Sequence, residues 1–518
     1  MKIFVLIVVV LSIIFPYRAT ARTPGFDISS TNLHSPFTPS TDQTQRLSPS
    51  DVRAGDQFGN AVSISGDTAV IGAKQAAVGQ NQFQGAAYVY RRENGLWVFH
   101  QRIVWDAGFN SDEFGTSVAI RGDTIMVGVP RAYVSGNSFQ GRVIVFRRFG
   151  STWHHSQTLG AADGTQGDQF GQFISISGDT AMIGAHTDDI GPNANQGSVY
   201  VFAKTQNGWF EKQKLTAPDG AASDNFGNVS LSGETAVVGA FLASTGAEGS
   251  QGAAYVFAKN GGTWSFSQKL TATDGAPSDW FGSTVKIYGG TIVAGAYNAD
   301  INTTFDNQGA SYIFTKTGNT WIQRQKITVG DSVPARGFLV RSVNSNTIIA
   351  SAARSTTGPG YNRGMAYVFK AGVGGIWNFE QRLEASDAAN VDGFALEVEQ
   401  FGNTILLGAL FAEGTPGVAQ GGAAYVFEEP IVPSLAVTIA GRVLARNGRG
   451  AFPARVSVED AFGNIRYAQV NPLGYYRLKD LVFGSEYTLR VDNKRAPYNS
   501  RTVVPEAHLT AFDFAPTP

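Results

Sequence analysis

Residues 58–73 read FGNAVSISGDTAVIGA, and the way this string returns along the chain decides the fold. Ala61-Val-Ser-Ile-Ser65 alternates apolar and small polar side chains, the period-2 pattern of a strand with two unlike faces. Gly66-Asp67 then leaves room for only a two-residue hairpin turn. Glycine at the first central position supplies the positive φ that a type II′ turn requires. Thr68-Ala-Val-Ile-Gly-Ala73 is the returning strand. The Phe-Gly pair recurs at Phe114, Phe170, Phe226 and Phe281, and in altered form as Gly337-Phe338 and Gly393-Phe394. Successive phenylalanines are separated by 56, 56, 56, 55, 57 and 56 residues.

Each period holds two further strands. The third is Ala87-Tyr-Val-Tyr90, echoed by Tyr200-Val-Phe202, Tyr255-Val-Phe257, Tyr312-Ile-Phe314, Tyr367-Val-Phe369 and Tyr425-Val-Phe427. The fourth opens on Trp97, Trp153, Trp209, Trp264, Trp321 or Trp377 and closes on Gln-Lys-Leu or a near equivalent. Four antiparallel strands per repeat form one blade of a propeller. Seven third strands are followed by only six Trp strands, and the missing Gln-Arg-Leu stands ahead of the first repeat at Gln45-Arg46-Leu47. The sequence therefore predicts an all-β chain: a seven-bladed β-propeller over 44–427, closed by an N-terminal strand, and then a small β-sandwich. Closure in this way pairs a sheet edge that would otherwise be open.

These repeats resemble the FG-GAP family, whose members form the propeller of integrin α chains and occur in bacterial surface proteins. Phe58-Gly59 matches the family's "FG", and Val70-Ile-Gly-Ala73 with Gly85-Ala-Ala-Tyr-Val-Tyr90 matches its second half, while the closing Pro appears only as Pro130. The calcium-binding members carry an Asp-rich loop between the first and second strands. Here that connection is Gly66-Asp67 or its equivalents, too short for six to eight oxygen ligands, so no metal site is expected. After the linker 428–434, the segment 435–518 resembles the carboxypeptidase regulatory-like (transthyretin-like) β-sandwich. Its Gly441-Arg-Val443, Ala454-Arg-Val456 and Asn471-Pro-Leu-Gly-Tyr-Tyr476 carry that likeness.

Lys2, the apolar run Ile3–Phe15 and Ala19-Thr-Ala21 read as a signal peptide over 1–21, followed by a linker over 22–43. Location is expected to be secreted or cell surface, with no transmembrane segment after cleavage. The chain has 40 Lys and Arg against 41 Asp and Glu, a balance that argues against nucleic acid as a partner. No cysteine is present, which removes disulfides, thiolate metal sites and a cysteine nucleophile. Residues 431–518 hold 11 basic against 7 acidic side chains.

Asp residues recur in pairs ahead of the repeats, as Asp163/Asp168, Asp219/Asp224, Asp274/Asp279 and Asp387/Asp392. Repetition in nearly every copy favours turn chemistry over a ring of cation sites. The six histidines form no His-x-x-x-His pattern, and no Gly-x-Ser-x-Gly or phosphate-binding loop occurs. No catalytic residue, metal or cofactor is expected. The connections between second and third strands vary in length and content, as binding loops on a rigid scaffold do. Their aromatics Phe83, Tyr133, Phe139, Tyr297, Phe305 and Tyr361, together with Trp280, are the candidate ligand-binding residues. The expected function is binding or adhesion to an extracellular protein or polysaccharide by a monomer without catalytic activity. The alternative is a polysaccharide-acting enzyme that uses the propeller channel or loop face.

Overall fold

The computed structural model describes residues 43–244, 249–301, 307–328, 337–352, 364–372, 375–387, 392–414, 418–428, 436–460, 465–482, 487–503, 509 and 511–517. The architecture is all-β, without an α-helix among these residues, and is built from repeated four-stranded antiparallel sheets of the propeller type. In sheet 1, Phe58–Ser65, Thr68–Ala73, Ala86–Glu93 and Leu96–Ile103 pair in chain order. Sheets 2 to 6 repeat that order, their first strands being Val118–Arg121, Phe173–Ser177, Phe226–Ser232, Phe281–Tyr288 and Phe338–Val343. Sheet 7 consists of Phe394–Phe401, Thr404–Ala409, Ala423–Glu428 and, as its outermost strand, Gln45–Leu47. Arg46 lies opposite Tyr425, so the displaced Gln-Arg-Leu pairs where the sequence places it.

The hairpin turn has the predicted backbone. Gly66 has φ +59°, Gly122 +53° and Gly178 +56°, while Asp67, Asp123 and Asp179 stay out of the left-handed region. The second strands are buried along their length, apart from the half-buried Thr235 and Thr291 that open those of sheets 4 and 5. The glycine in Val-Ile-Gly-Ala has a steric role there. A Cβ on Gly72 would strike the carbonyl oxygen of Gly115, and one on Gly85 would strike that of Phe114. Each Phe-Gly backbone is thus received by two glycines of the preceding sheet. The same parallel bridge that joins Gly141 to Phe170 joins Gly422 of sheet 7 to Phe58 of sheet 1.

The phenylalanine itself fills the wedge between sheets. Phe58 meets Tyr88 edge-on at 5.3 Å, and Phe170–Tyr200, Phe226–Tyr255 and Phe394–Tyr425 repeat the contact at 5.4–5.7 Å. The altered copies keep this phenylalanine in place. The residue before it is left-handed in every sheet, from Gln57 (φ +58°) to Trp280 (+58°), Gly337 (+68°) and Gly393 (+62°). The apparent inversion to Gly-Phe is glycine occupying that left-handed position, where it costs least.

Inner and outer edges are stitched differently. Ser63, Ser175 and Ser230 accept the backbone N–H groups of Ile120, Leu231 and Ile287 on the next inner strand. At the outer edge, the Gln101 amide exchanges two hydrogen bonds of 2.8 Å with the backbone of Trp153, and Gln157, Gln213, Gln268 and Gln325 repeat the clasp.

The C-terminal segment forms a four-stranded sheet from Ile465–Gln469, Arg455–Asp460, Tyr487–Asp492 and Arg501–Val503, and a two-stranded one from Ala436–Arg442 and Tyr475–Val482. Both sheets contribute to one core that holds Ile439, Val456, Tyr476, Leu478 and Leu489. No helix among the described residues is long and apolar enough to cross a membrane. The signal expected over 1–21 and the linker expected over 22–43 lie outside the described residues except for residue 43, as does most of the 428–434 linker.

Candidate functional site: the loop face and the channel

The loops between second and third strands lie against the Asp-bearing loop that enters the next sheet. In sheet 1 the carbonyls of Gln82, Phe83 and Gln84 accept the N–H groups of Ser111, Glu113 and Phe114. The carboxylates in these loops are engaged by the fold. In five copies the Asp at the second position accepts a backbone N–H three residues upstream: Asp56 from Arg53, Asp112 from Phe109, Asp168 from Thr165, Asp224 from Ala221 and Asp279 from Ala276. Burial raises the pKa of these five carboxyls, against the opposing pull of those hydrogen bonds.

The first Asp joins a recurring triad. Asp163 accepts from Tyr200 Oη and pairs with Lys214 Nζ, both at 2.7 Å. Asp219, Tyr255 and Lys269 repeat this, Asp274 pairs with Lys326, and Arg46 takes the basic role beside Asp387 and Tyr425. Burial alone would raise Asp163, Asp219 and Asp274, but the ammonium and the phenol hold them below the usual carboxylate range. Sheet 2 carries Ala107, Ile144 and Thr158 at the three positions, so all members of the triad are exchanged together. Among the described residues, no group of three or more His, Cys, Asp or Glu is placed to hold a metal ion.

The sequence-predicted aromatics separate into two groups. Trp280 meets Phe241 edge-on at 5.9 Å and stacks on Tyr297 at 6.1 Å, and Tyr297 in turn lies against Gly337. Trp280 and Tyr297 thus spend ring faces on each other across the tops of sheets 4 to 6. Tyr133 and Phe139 stand in the open, 57% and 45% exposed. Phe305 and Tyr361 lie outside the described residues.

Two further aromatics join the exposed pair. Phe83 is 49% exposed, and Phe109, which sequence reasoning missed, is 62% exposed. All four are tied to one short turn. Asp112 accepts the backbone N–H groups of Phe109 and Tyr133, and the Phe83 carbonyl accepts that of Glu113. Arg131 pairs with Glu113 at 3.1 Å and lays its guanidinium over Phe139 at 5.6 Å. Phe83 and Phe139 are left-handed, φ +55° and +56°, at a position that carries Asn195, Ser250, Asn307 and Gln420 in other copies. A bulky aromatic at positive φ is strained. The signal that finds Phe109 is internal: the equivalent residues are Arg53, Thr165, Ala221 and Ala276.

Inner strands of all seven sheets line one central cavity, in two parts of 190 and 290 Å³. Serines dominate much of its wall, but Lys286, Arg341, Glu397 and Glu399 cluster on sheets 5 to 7. Arg341 donates to Ser351 Oγ at 2.9 Å and lies 3.8 Å from Glu397. Burial pushes Glu399 up, with Lys286 pulling the other way. His186, beside Phe173, is pushed down to about 4 by burial, and its Nδ1 has no hydrogen-bond partner among the described residues.

Four-stranded units repeated about an inner-strand channel, with variable loops gathered at one face, define a propeller-type repeat protein. Residues 41–90, 97–146, 153–202, 209–257, 264–314 and 377–427 match the FG-GAP repeat, and the chain belongs to that family. The first matched unit begins ahead of Gln45 and ends at Tyr90, so it takes in the N-terminal strand as well as three strands of sheet 1. Sheet 6, with Leu339 where sheets 1 to 5 have glycine and sheet 7 has Ala395, lies largely between the last two matched stretches but keeps the strand order. No curated protein matches the chain.

Proposed function

We propose that the chain is a secreted or cell-surface recognition protein, without catalytic activity, that binds an extracellular polysaccharide or protein. It is a monomer built from a seven-bladed propeller closed by its N-terminal strand and a carboxypeptidase regulatory-like β-sandwich. Pairing of Gln45–Leu47 with Ala423–Glu428, and the bridge from Gly422 to Phe58, support the closed ring. Two sheets on one core support the sandwich.

A single observation carries the binding reading: Phe83, Phe109, Tyr133 and Phe139 are exposed together around the Asp112–Glu113 turn. Solvent-facing aromatics on a rigid turn supply contact area at low entropic cost, and strained backbone at such a place is a mark of function. Trp280 and Tyr297 serve the same face as a brace, since stacking leaves them only half-buried. The test is solution binding of the full chain to a panel of neutral and acidic polysaccharides and extracellular proteins. Saturable binding of a panel ligand that Tyr133→Ala and Phe139→Ala each weaken at least 10-fold supports this reading. Absence of binding across the panel sinks it.

A further inference from the structure

We infer that the C-terminal module carries a second binding site, an arginine-lined groove for an anionic polysaccharide. The groove has a volume of 420 Å³ and is lined by Arg446, Arg449, Arg495, Phe452 and Tyr498, with no acidic side chain among the described residues of its wall. A second concavity of 500 Å³ adjoins it across Ala445 and Arg446 and runs toward Pro516 and Thr517.

Two arginines elsewhere in the module are matched to carboxylates. Arg455 pairs with Asp492 at 3.3 Å, and Arg490 pairs with Glu459. Arg446, Arg449 and Arg495 have no carboxylate within ion-pair distance among the described residues, and all three are exposed. Three guanidinium groups gathered without a counter-charge repel one another, and an anion in the groove relieves that repulsion. Guanidinium presents a planar fork of donors that matches a carboxylate or sulfate in bidentate fashion.

The backbone beneath them is set in advance. Asn447 Oδ1 accepts the Arg449 N–H at 3.1 Å, and Asn493 Oδ1 accepts the Arg495 N–H at 2.8 Å. The two loops are tied together by Asn493 Nδ2 to the Pro453 carbonyl, 3.2 Å, and by Tyr498 Oη to the Leu444 carbonyl, 2.8 Å. A preordered site loses less entropy on binding. Phe452, 49% exposed, and the Tyr498 ring add apolar faces beside the cations. A sugar ring offers both a C–H face for such aromatics and an acidic substituent for the arginines, whereas polyphosphate offers only charge. This combination selects a uronate or sulfated glycan.

The experiment is affinity electrophoresis of the full chain through gels containing polygalacturonate, dextran sulfate, neutral dextran or polyphosphate. The protein is expected to be retarded by the first two at low salt and to pass neutral dextran freely. Arg446→Gln/Arg449→Gln/Arg495→Gln should raise the dissociation constant at least 10-fold, and Phe452→Ala about 3-fold, with thermal melts unchanged. A charge-matched variant away from the groove, Lys212→Gln/Arg477→Gln/Lys479→Gln, should keep most of the binding. The inference is overturned if the triple arginine variant binds like the wild type, or if the charge-matched variant loses as much. Equal retention by polyphosphate, with Phe452→Ala without effect, overturns the carbohydrate assignment. Loop-face variants such as Tyr133→Ala leave this binding unchanged, which separates the two sites.

Discussion

Gln45 and Trp97 exchange two hydrogen bonds, Nε2 to the Trp97 carbonyl at 2.7 Å and the Trp97 N–H to Oε1 at 2.8 Å, across 52 residues of sequence. Gln45 belongs to sheet 7 and Trp97 to sheet 1, so this clasp joins the first and last sheets as Gln101 and Trp153 join sheets 1 and 2. The N-terminal strand thereby performs the same office as the outer strands of sheets 1 to 5.

Gln45→Leu removes both bonds and leaves the Trp97 backbone groups part-buried without partners. The expected loss is about 1–3 kcal/mol, the cost of stranding such groups. Chemical denaturation should show it, and Gln213→Leu, which breaks the equivalent clasp to Trp264, should cost a similar amount. A much smaller effect at Gln45 would mean that the N-terminal strand does not unfold cooperatively with the sheets it pairs.

Gly72→Ala drives a Cβ into the carbonyl of Gly115, and Gly408→Ala drives one into that of Gly59. Neither neighbour can yield, because both are backbone. Each substitution should destabilise by about 3 kcal/mol or more, as steric conflict in a packed interior does. Gly66→Ala, which meets open space and strains only a turn, should cost about 1 kcal/mol by the same denaturation assay.

Those glycines show where sequence reading reaches and where it stops. Phe58, Trp97 and Gln45 were legible because their spacing repeats, and repetition is a one-dimensional signal. What Gly72 touches was not legible, since the contact with Gly115 lies between sheets. The same holds for the site. Tyr133 and Phe139 could be placed on a variable loop, but their exposure, and the stacking that occupies Trp280, depend on neighbours contributed by the next sheet. Phe109 escaped because it sits in the Asp-bearing loop, where turn chemistry had explained every residue that repeats.

His186 supplies a pH test. Its folded pKa of about 4 lies below the ordinary histidine value, so the folded state binds fewer protons than the unfolded state between those limits. Stability is therefore full above about pH 6.5 and falls as pH drops toward about 4, by roughly 2–3 kcal/mol. His186→Phe should flatten the pH dependence of the melting temperature in that window. An unchanged slope would show that other groups set it.

Lys269→Met leaves the half-exposed Asp219 to the Tyr255 hydroxyl and water and should destabilise by about 0.5–1 kcal/mol. Removing the charged pair together, as Asp219→Ala/Lys269→Met, keeps the Tyr255 ring against Phe226 and should cost no more than the single change. Thermal melts of the two variants decide this. If the double variant is the weaker, the pair contributes more than mutual satisfaction of its charges.

The most direct test of the recognition role is the affinity of aromatic variants for the ligand that a binding panel selects. The account predicts that Tyr133→Ala, Phe139→Ala and Phe109→Ala each weaken binding at least 10-fold with unchanged melts. Trp280→Ala should lower the melting temperature more than the affinity. Wild-type affinity in all three exposed-aromatic variants would contradict the account and remove the sheet 1–sheet 2 loop face as the working surface.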